Sequence, residues 1–186
     1  GFALADGAGA VVLESLESAE RRGVLPLAEV AGFGVSQDGF DLNRPCEDGA
    51  GAELAMRRAL DTAGLAPDDI DAVNAHATGT FLGDLAEASA LRRLFGERWP
   101  EGPVSSMKGA LGHAMPAAGA LEAIVSAYSC ARGVIPPTVG LEDSDKGCEL
   151  DHVIGQPRES AARTVLSTSL GMGGQNAAII LTRVST

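Results

Sequence analysis

Apolar positions along the chain switch between short runs and helical spacing, and that switching predicts the elements. Ala10 to Leu13 is a short apolar β-type run. Ser15 to Arg22 reads as a helix, with Ser15 as N-cap, Glu17 four positions before Arg21, and Gly23 just past the end. Ala28 to Val35 predicts a strand, and Gln37 to Gly51 a polar loop rich in Gly, Asp and Pro. Ala52 to Ala63 predicts an amphipathic helix with Leu54, Met56 and Leu60 on its core side, stopped by Gly64 and Pro67. Ile70 to Ala75 is a short buried strand ending at His76, and Gly83 to Phe95 is a further helix with Asp84 near its start. Val104 and Ser105 begin another strand, and a Gly-rich stretch follows up to His113. Met115 to Arg132 is rich in Ala, with Leu, Ile and Val, which predicts a helix buried on most sides. Two strands close the chain, Val165 to Ser169 and Ala177 to Thr182, joined by the turn GMGGQ. Strands alternating with helices predict an α/β fold, with a partly antiparallel edge from the last two strands.

The length of 186 residues suits one domain with its own core. Hydrophobic residues make up 45% but aromatics only 4%, so Ala, Leu, Val and Ile must build that core. A formal charge of −11 repels phosphate backbones and anionic lipid, which argues against nucleic acid and membrane partners. No apolar run approaches the ~20 residues of a spanning helix, and no leader-type segment opens the chain. Cys46, Cys130 and Cys148 are odd in number and lack CxxC spacing, so a reducing, cytoplasmic setting is expected, with no metal site. The first residue is Gly1, followed at once by GFALADGAGAVVLE, which reads as a cut inside a larger protein.

Three segments carry candidate chemistry. NAHATGT, Asn74 to Thr80, delivers His76 to a strand end, where α/β sheets place reacting groups, with the hydroxyls of Thr78 and Thr80 in the same mouth. Alone, such a histidine is more often a hydrogen-bonded structural residue. SSMKGALGHAMPAAGALEA, Ser105 to Ala123, sets Lys108 and His113 in one Gly-rich loop, with Pro116 suited to the first turn of the next helix. A buried Lys108 needs a counter-charge, and Glu122 is the local candidate. The alternative is a helix-start loop with a solvated lysine. SLGMGGQNAA, Ser169 to Ala178, brings backbone amides around Met172 and Gly173 within reach of a ligand. An ordinary hairpin turn is the alternative there.

Taken together, the segments resemble the C-terminal half of the β-ketoacyl carrier-protein synthases, the ketosynthases of the thiolase-like condensing enzymes. His76, Lys108 and His113 come in that family's order, and GVIPPT (Gly133 to Thr138) and CELDHV (Cys148 to Val153) extend the match. The resemblance implies the C-terminal half of a layered αβαβα fold, with a mixed sheet and a buried central helix. Residues 1–25 would end the first half and 26–186 form the second. It also implies decarboxylative Claisen condensation of an acyl thioester with malonyl carrier protein. His76 and His113 would donate N–H bonds to the enolate oxygen. Lys108, paired with Glu122, would orient His113. Thr78 and Thr80 would bind the pantetheine arm, and Met172, with Gly173 beside it, would line the acyl pocket and oxyanion hole. The implied partners are acyl carrier protein, a Cys-bearing N-terminal half, and a second subunit in a homo- or heterodimer. No cofactor is implied beyond the phosphopantetheine of the carrier protein.

The departures from the family pattern are specific. The nucleophilic cysteine falls upstream of Gly1, and none of Cys46, Cys130 and Cys148 sits at a strand-to-helix turn, so each reads as a spectator. Met172 stands where most relatives have Phe, Pro116 replaces a usual Gly, and His152 matches a position that is often Tyr. Two rival readings remain open. One is a non-catalytic chain-length-factor-like partner subunit, which shares the fold but tends to lose the histidines. The other is a penicillin-binding-type serine hydrolase, because Ser105 to Lys108 spells S-x-x-K, although no K-T-G accompanies it. A dinucleotide site is excluded by the lack of G-x-G-x-x-G after a strand.

Overall fold

The computed structural model describes residues 1–96 and 102–184. Ser15 caps helix α1 (Leu16–Arg22) by accepting the Ser18 N–H at 3.2 Å, and Glu17 pairs with Arg21 at 3.1 Å. Residues 10–13, expected as a strand, form none, and Val12 is 93% exposed. A strand needs a neighbour for its N–H and C=O groups, and no described strand lies alongside. The segment's one ladder contact lies earlier, where Leu4 bridges His113.

Strand β1 (Glu29–Gln37) precedes the expected polar loop and helix α2 (Ala50–Ala63). Met56 and Leu60 are buried as expected, but Leu54 is 43% exposed and lies off the core face. Leu54 is two residues from Met56, about 200° around a helix, so the two cannot share one narrow face. Strand β2 (Ala72–Asn74), helix α3 (Phe81–Phe95) and strand β3 (Val104–Ser105) follow in the expected order. The Gly-rich stretch contains an unexpected helical turn, α4 (Lys108–Leu111). Pro116 lies in a 3-10 turn, Met115–Ala117, so the long helix α5 begins only at Ala118 and runs to Arg132. Strands β4 (Val134–Ile135) and β5 (Arg158–Glu159) form a small antiparallel pair that the apolar pattern does not predict. Strands β6 (Thr164–Gly171) and β7 (Gln175–Thr182) form the closing hairpin.

The main sheet has the order β1-β7-β6-β2-β3, with β6, β2 and β3 parallel and β1 and β7 antiparallel to their neighbours. Side-chain alternation then makes two cores. Leu166, Ala178 and Ile180 face Met56, Leu60, Leu91 and Phe95 of α2 and α3. The adjacent Val165 and Leu181 face the other way, onto Cys130 of α5 with Ile135 and Val153. Gly34 on β1 lets α2 approach closely, since a Cβ there would lie 2.1 Å from the Ala55 carbonyl oxygen.

Helix α5 departs from the expectation of burial on most sides. Its buried positions include Glu122, Ser126, Ser129 and Cys130, while Tyr128 is 45% exposed. The sheet-facing stripe is therefore largely polar, and the Leu, Ile and Val side chains lie on its partly covered flanks. No helix among the described residues is long and apolar enough to cross a membrane.

Candidate active site

Strand β2 is flanked by β6 and β3, and its C-terminal end presents His76 at the carboxyl edge of the parallel strands. The turn after it is held by a buried carboxylate. Glu87 on α3 accepts the N–H of His76 at 2.9 Å through one oxygen and that of Ala77 at 2.8 Å through the other. Thr168 of β6 also accepts the His76 N–H, at 3.1 Å. Ala77 has φ +29°, a conformation that costs a non-glycine residue on the order of 1–3 kcal/mol and persists only where its surroundings enforce it.

His113 leaves α4 after Gly112, and residues 3–5 fix its backbone. The His113 N–H donates to the Ala3 carbonyl at 2.8 Å, and its own carbonyl accepts the Ala5 N–H at 3.1 Å. The Met115 N–H donates to His113 Nδ1 at 3.2 Å, so the ring proton sits on Nε2. Met115 itself has φ +51°; the two non-glycine residues with positive φ among the described residues thus lie next to the two histidines. The rings of His76 and His113 meet edge to face at 5.4 Å between centroids, and Phe2 meets His113 likewise at 5.1 Å.

Lys108 Nζ pairs with Glu122 Oε1, and Ser169 Oγ donates to the other carboxylate oxygen at 3.4 Å. Both partners are buried, and burial pushes the Glu122 carboxyl above its ordinary range against the pull of Lys108. Burial, then the Lys108 charge, then His113 hold His76 down to about 3. Burial and Lys108 lower His113 as well. Both imidazoles are therefore neutral near pH 7, each with one N–H to give. A cavity of about 520 Å³ opens at this point, with Phe2, Thr78, Asp84, Lys108, His113 and Cys148 on its wall.

Asp84 yields a pH prediction. Burial and the charge of Glu87 push its carboxyl up to about 6, while the Gly79 N–H at 3.2 Å opposes the rise. The folded state favours the neutral acid, so that contribution is complete at low pH and is lost as pH rises through about 6. Asp84→Asn keeps an acceptor without the charge. It should raise stability by about 2 kcal/mol at pH 8, by roughly half of that at pH 5, and change it little at pH 3, read as thermal midpoints. A gain independent of pH would refute this.

The expected residues fall into two groups. Thr78, Lys108 and His113 line the cavity, while His76 and Glu122 stand behind the wall, His76 in ring contact with His113 and Glu122 paired with Lys108. Thr80 bonds Thr78 through their hydroxyls at 2.9 Å and precedes α3, one step off the cavity wall. Met172 and Gly173 do not line the cavity. They sit at the exposed tip of the β6–β7 turn, with Met172 66% exposed. That turn is tied to the 38–49 loop, because Asp38 accepts from Asn176 Nδ2 at 2.6 Å and from the Cys46 N–H at 3.0 Å.

The S-x-x-K reading fails on geometry. Ser105 donates to the Pro136 carbonyl at 2.6 Å, and the Lys108 amine is engaged by Glu122, so no serine–lysine pair forms. Cys148 closes the expected surface turn by donating its N–H to the Asp145 carbonyl at 2.9 Å and also reaches the cavity wall, and burial raises its thiol. Cys130 is pushed up to about 11 by burial. His152 bonds the Cys148 carbonyl through Nε2 at 2.8 Å, a structural contact. Sequence reasoning missed Glu87, Thr168 and Phe2. For Glu87 a signal existed: a carboxylate among Ala86, Ala88, Ala90 and Leu91 on a helix facing the core. No group of three or more His, Cys, Asp or Glu among the described residues could hold a metal ion.

The α/β layering and mixed sheet, with a histidine at the end of β2 and a second near a buried Lys–Glu pair, place the chain in the fold class of the thiolase-like ketosynthases. Residues 27–142 match the C-terminal domain of the β-ketoacyl synthases, and the chain belongs to that family. Among curated relatives, it is 42% identical over 184 residues to 3-oxoacyl-[acyl-carrier-protein] synthase 2 of Coxiella burnetii, covering 99% of this chain and 44% of that protein. The ishigamide ketosynthase/chain length factor superposes with a TM-score of 0.94 at 38% identity, covering all of this chain and 45% of that one. A type II polyketide ketosynthase solved with its acyl-carrier protein and a bound hexaketide gives 0.90 at 28% identity, covering 92% and 42%. The chain thus spans less than half the length of these relatives.

Proposed function

We propose that the chain forms the decarboxylating part of a β-ketoacyl carrier-protein synthase, which condenses an acyl thioester with malonyl carrier protein. The observation that carries this reading is the edge-to-face pair of neutral imidazoles, His76 and His113, beside the Lys108–Glu122 pair. Loss of CO2 leaves an enolate whose charge collects on the thioester oxygen. Two preorganised N–H donors suit that oxygen. The positive Lys108 draws a carboxylate-bearing substrate to this end, and its pairing with Glu122 keeps it beside His113.

The remaining assignments follow the family relation. The nucleophilic cysteine comes from a first half of the enzyme outside this chain, residues 1–25 closing that half and 26–186 forming the second. Exposed Val11, Val12 and Leu13 are apolar and unpaired here, as the edge of an absent sheet would be. Thr78 and Thr80 hold the pantetheine arm, and the Met172 amide with Gly173, off the cavity at the exposed β6–β7 tip of this chain, completes the oxyanion hole of the acyl thioester where the first half packs against that tip. The carrier protein is the macromolecular partner, the whole enzyme is dimeric, and the setting is cytoplasmic; no cofactor takes part beyond the carrier's phosphopantetheine. A chain-length-factor role is disfavoured because His76, Lys108 and His113 are all present and assembled.

The test is reconstitution with a Cys-bearing ketosynthase half. The assembled enzyme should decarboxylate malonyl carrier protein and extend an acyl chain, and the chain alone should do neither. Condensation by the chain alone, or an assembled enzyme silent in decarboxylation, would overturn the reading. Met172 gives a further expectation, since an unbranched thioether yields where a ring does not. Met172→Phe should narrow the range of accepted acyl groups toward shorter ones, read as product profiles. Identical profiles would remove Met172 from the pocket.

A further inference from the structure

The carboxylate that holds the His76 turn is itself held by a single hydroxyl from a third element. Thr168 of β6 is 1% exposed and stands between Glu87 and His76. Its Oγ1 donates to Glu87 Oε1 at 2.5 Å and accepts the His76 N–H at 3.1 Å. A hydroxyl has one proton and two lone pairs, so this geometry commits its proton to the carboxylate and leaves a lone pair for the amide. The same Glu87 oxygen takes the His76 N–H, and the second oxygen takes that of Ala77. The strained Ala77 backbone, φ +29°, is thus locked by a triangle of β2, α3 and β6.

We propose that Thr168 is a positioning residue for the decarboxylation step: its hydroxyl orients Glu87, which fixes the His76–Ala77 turn and so aims the His76 imidazole at the enolate oxygen. This rests on the function proposed above. The neighbouring residues support such a role for the strand. Ser167 accepts from Asn74 Nδ2 at 3.1 Å, and Ser169 donates to Glu122 at 3.4 Å. Three successive hydroxyls of β6 thus brace three members of the site. Thr168 alone reaches the backbone of a histidine.

The experiment uses the reconstituted enzyme. Thr168→Val keeps the volume and removes the hydroxyl. It should lower kcat for malonyl decarboxylation on the order of ten- to a hundredfold, the scale of a slight misplacement of a reacting group. KM and acyl transfer to the cysteine should stay unchanged. Thr168→Ser should restore kcat. In a His76→Ala background, Thr168→Val should cost nothing further, because its effect passes through that ring. Should the valine variant fail to fold, Thr168→Ala removes the same hydroxyl without placing a methyl against the carboxylate. Hydroxyl-less variants with wild-type kcat, or a loss that persists in the His76→Ala background, would overturn the assignment. If His76→Ala itself leaves decarboxylation untouched, it is the proposed function that fails.

Discussion

His113→Ala in the reconstituted enzyme should abolish most release of CO2 from malonyl carrier protein while leaving acyl transfer to the cysteine intact. The ring tautomer makes this specific. Met115 donates to Nδ1, so Nε2 carries the proton and is a fixed donor. Burial and the Lys108 charge hold the ring neutral, so the donor needs no deprotonation before it acts. Losing one such donor to a developing enolate costs about 3 kcal/mol, or roughly a hundredfold or more in rate. His76→Ala should behave alike if both rings hold the same oxygen. The lowered His113 value also predicts that the ring takes its second proton only below the ordinary imidazole range, so any effect of that protonation on decarboxylation should appear at more acid pH than for a free histidine. An enzyme lacking the His113 ring that decarboxylates normally but no longer loads would make His113 a base for the nucleophile instead.

The order of elements and the site's main residues were legible because their signals are local. Ser15 and Gly23 bracket α1, and the turn GMGGQ places the β6–β7 hairpin within a residue or two. Motif order singled out His76, Lys108, His113 and Glu122, and the fold sets His76 against His113 and Lys108 against Glu122. What escaped depends on contacts between elements. The apolar run at 10–13 has β character, yet it has no described strand to pair with. In α5, Glu122 turns inward because Lys108 and Ser169 wait there, and Ser126 bonds back to the Glu122 carbonyl, which no helical periodicity reports. Thr168 looks like any strand threonine until Glu87, eighty-one positions away, is folded against it.

The Lys108–Glu122 pair should prove costly to break and cheap to replace. Lys108 is 9% exposed and Glu122 2%, so neither can recover water when its partner is removed. Lys108→Ala strands a buried carboxylate and should destabilise the assembled enzyme by about 3–5 kcal/mol. The double variant Lys108→Met with Glu122→Leu removes both charges at similar volume and should return stability to within about 1 kcal/mol of the parent. Activity should separate the two effects, because neither variant keeps a cation beside His113, and decarboxylation should fall in both. The stability loss carries a pH signature. Burial already raises the Glu122 carboxyl in the parent, and loss of the lysine removes the charge that opposes the rise. A raised carboxyl contributes fully only at low pH and loses that contribution as pH climbs through its folded value. The gap between Lys108→Ala and parent should therefore narrow toward pH 5 and widen toward pH 8, while the double variant tracks the parent more closely. Chemical unfolding at those two pH values measures it. A gap that ignores pH, or a double variant as unstable as Lys108→Ala, would mean that packing around the lysine stem, rather than the buried pair, governs this part of the fold.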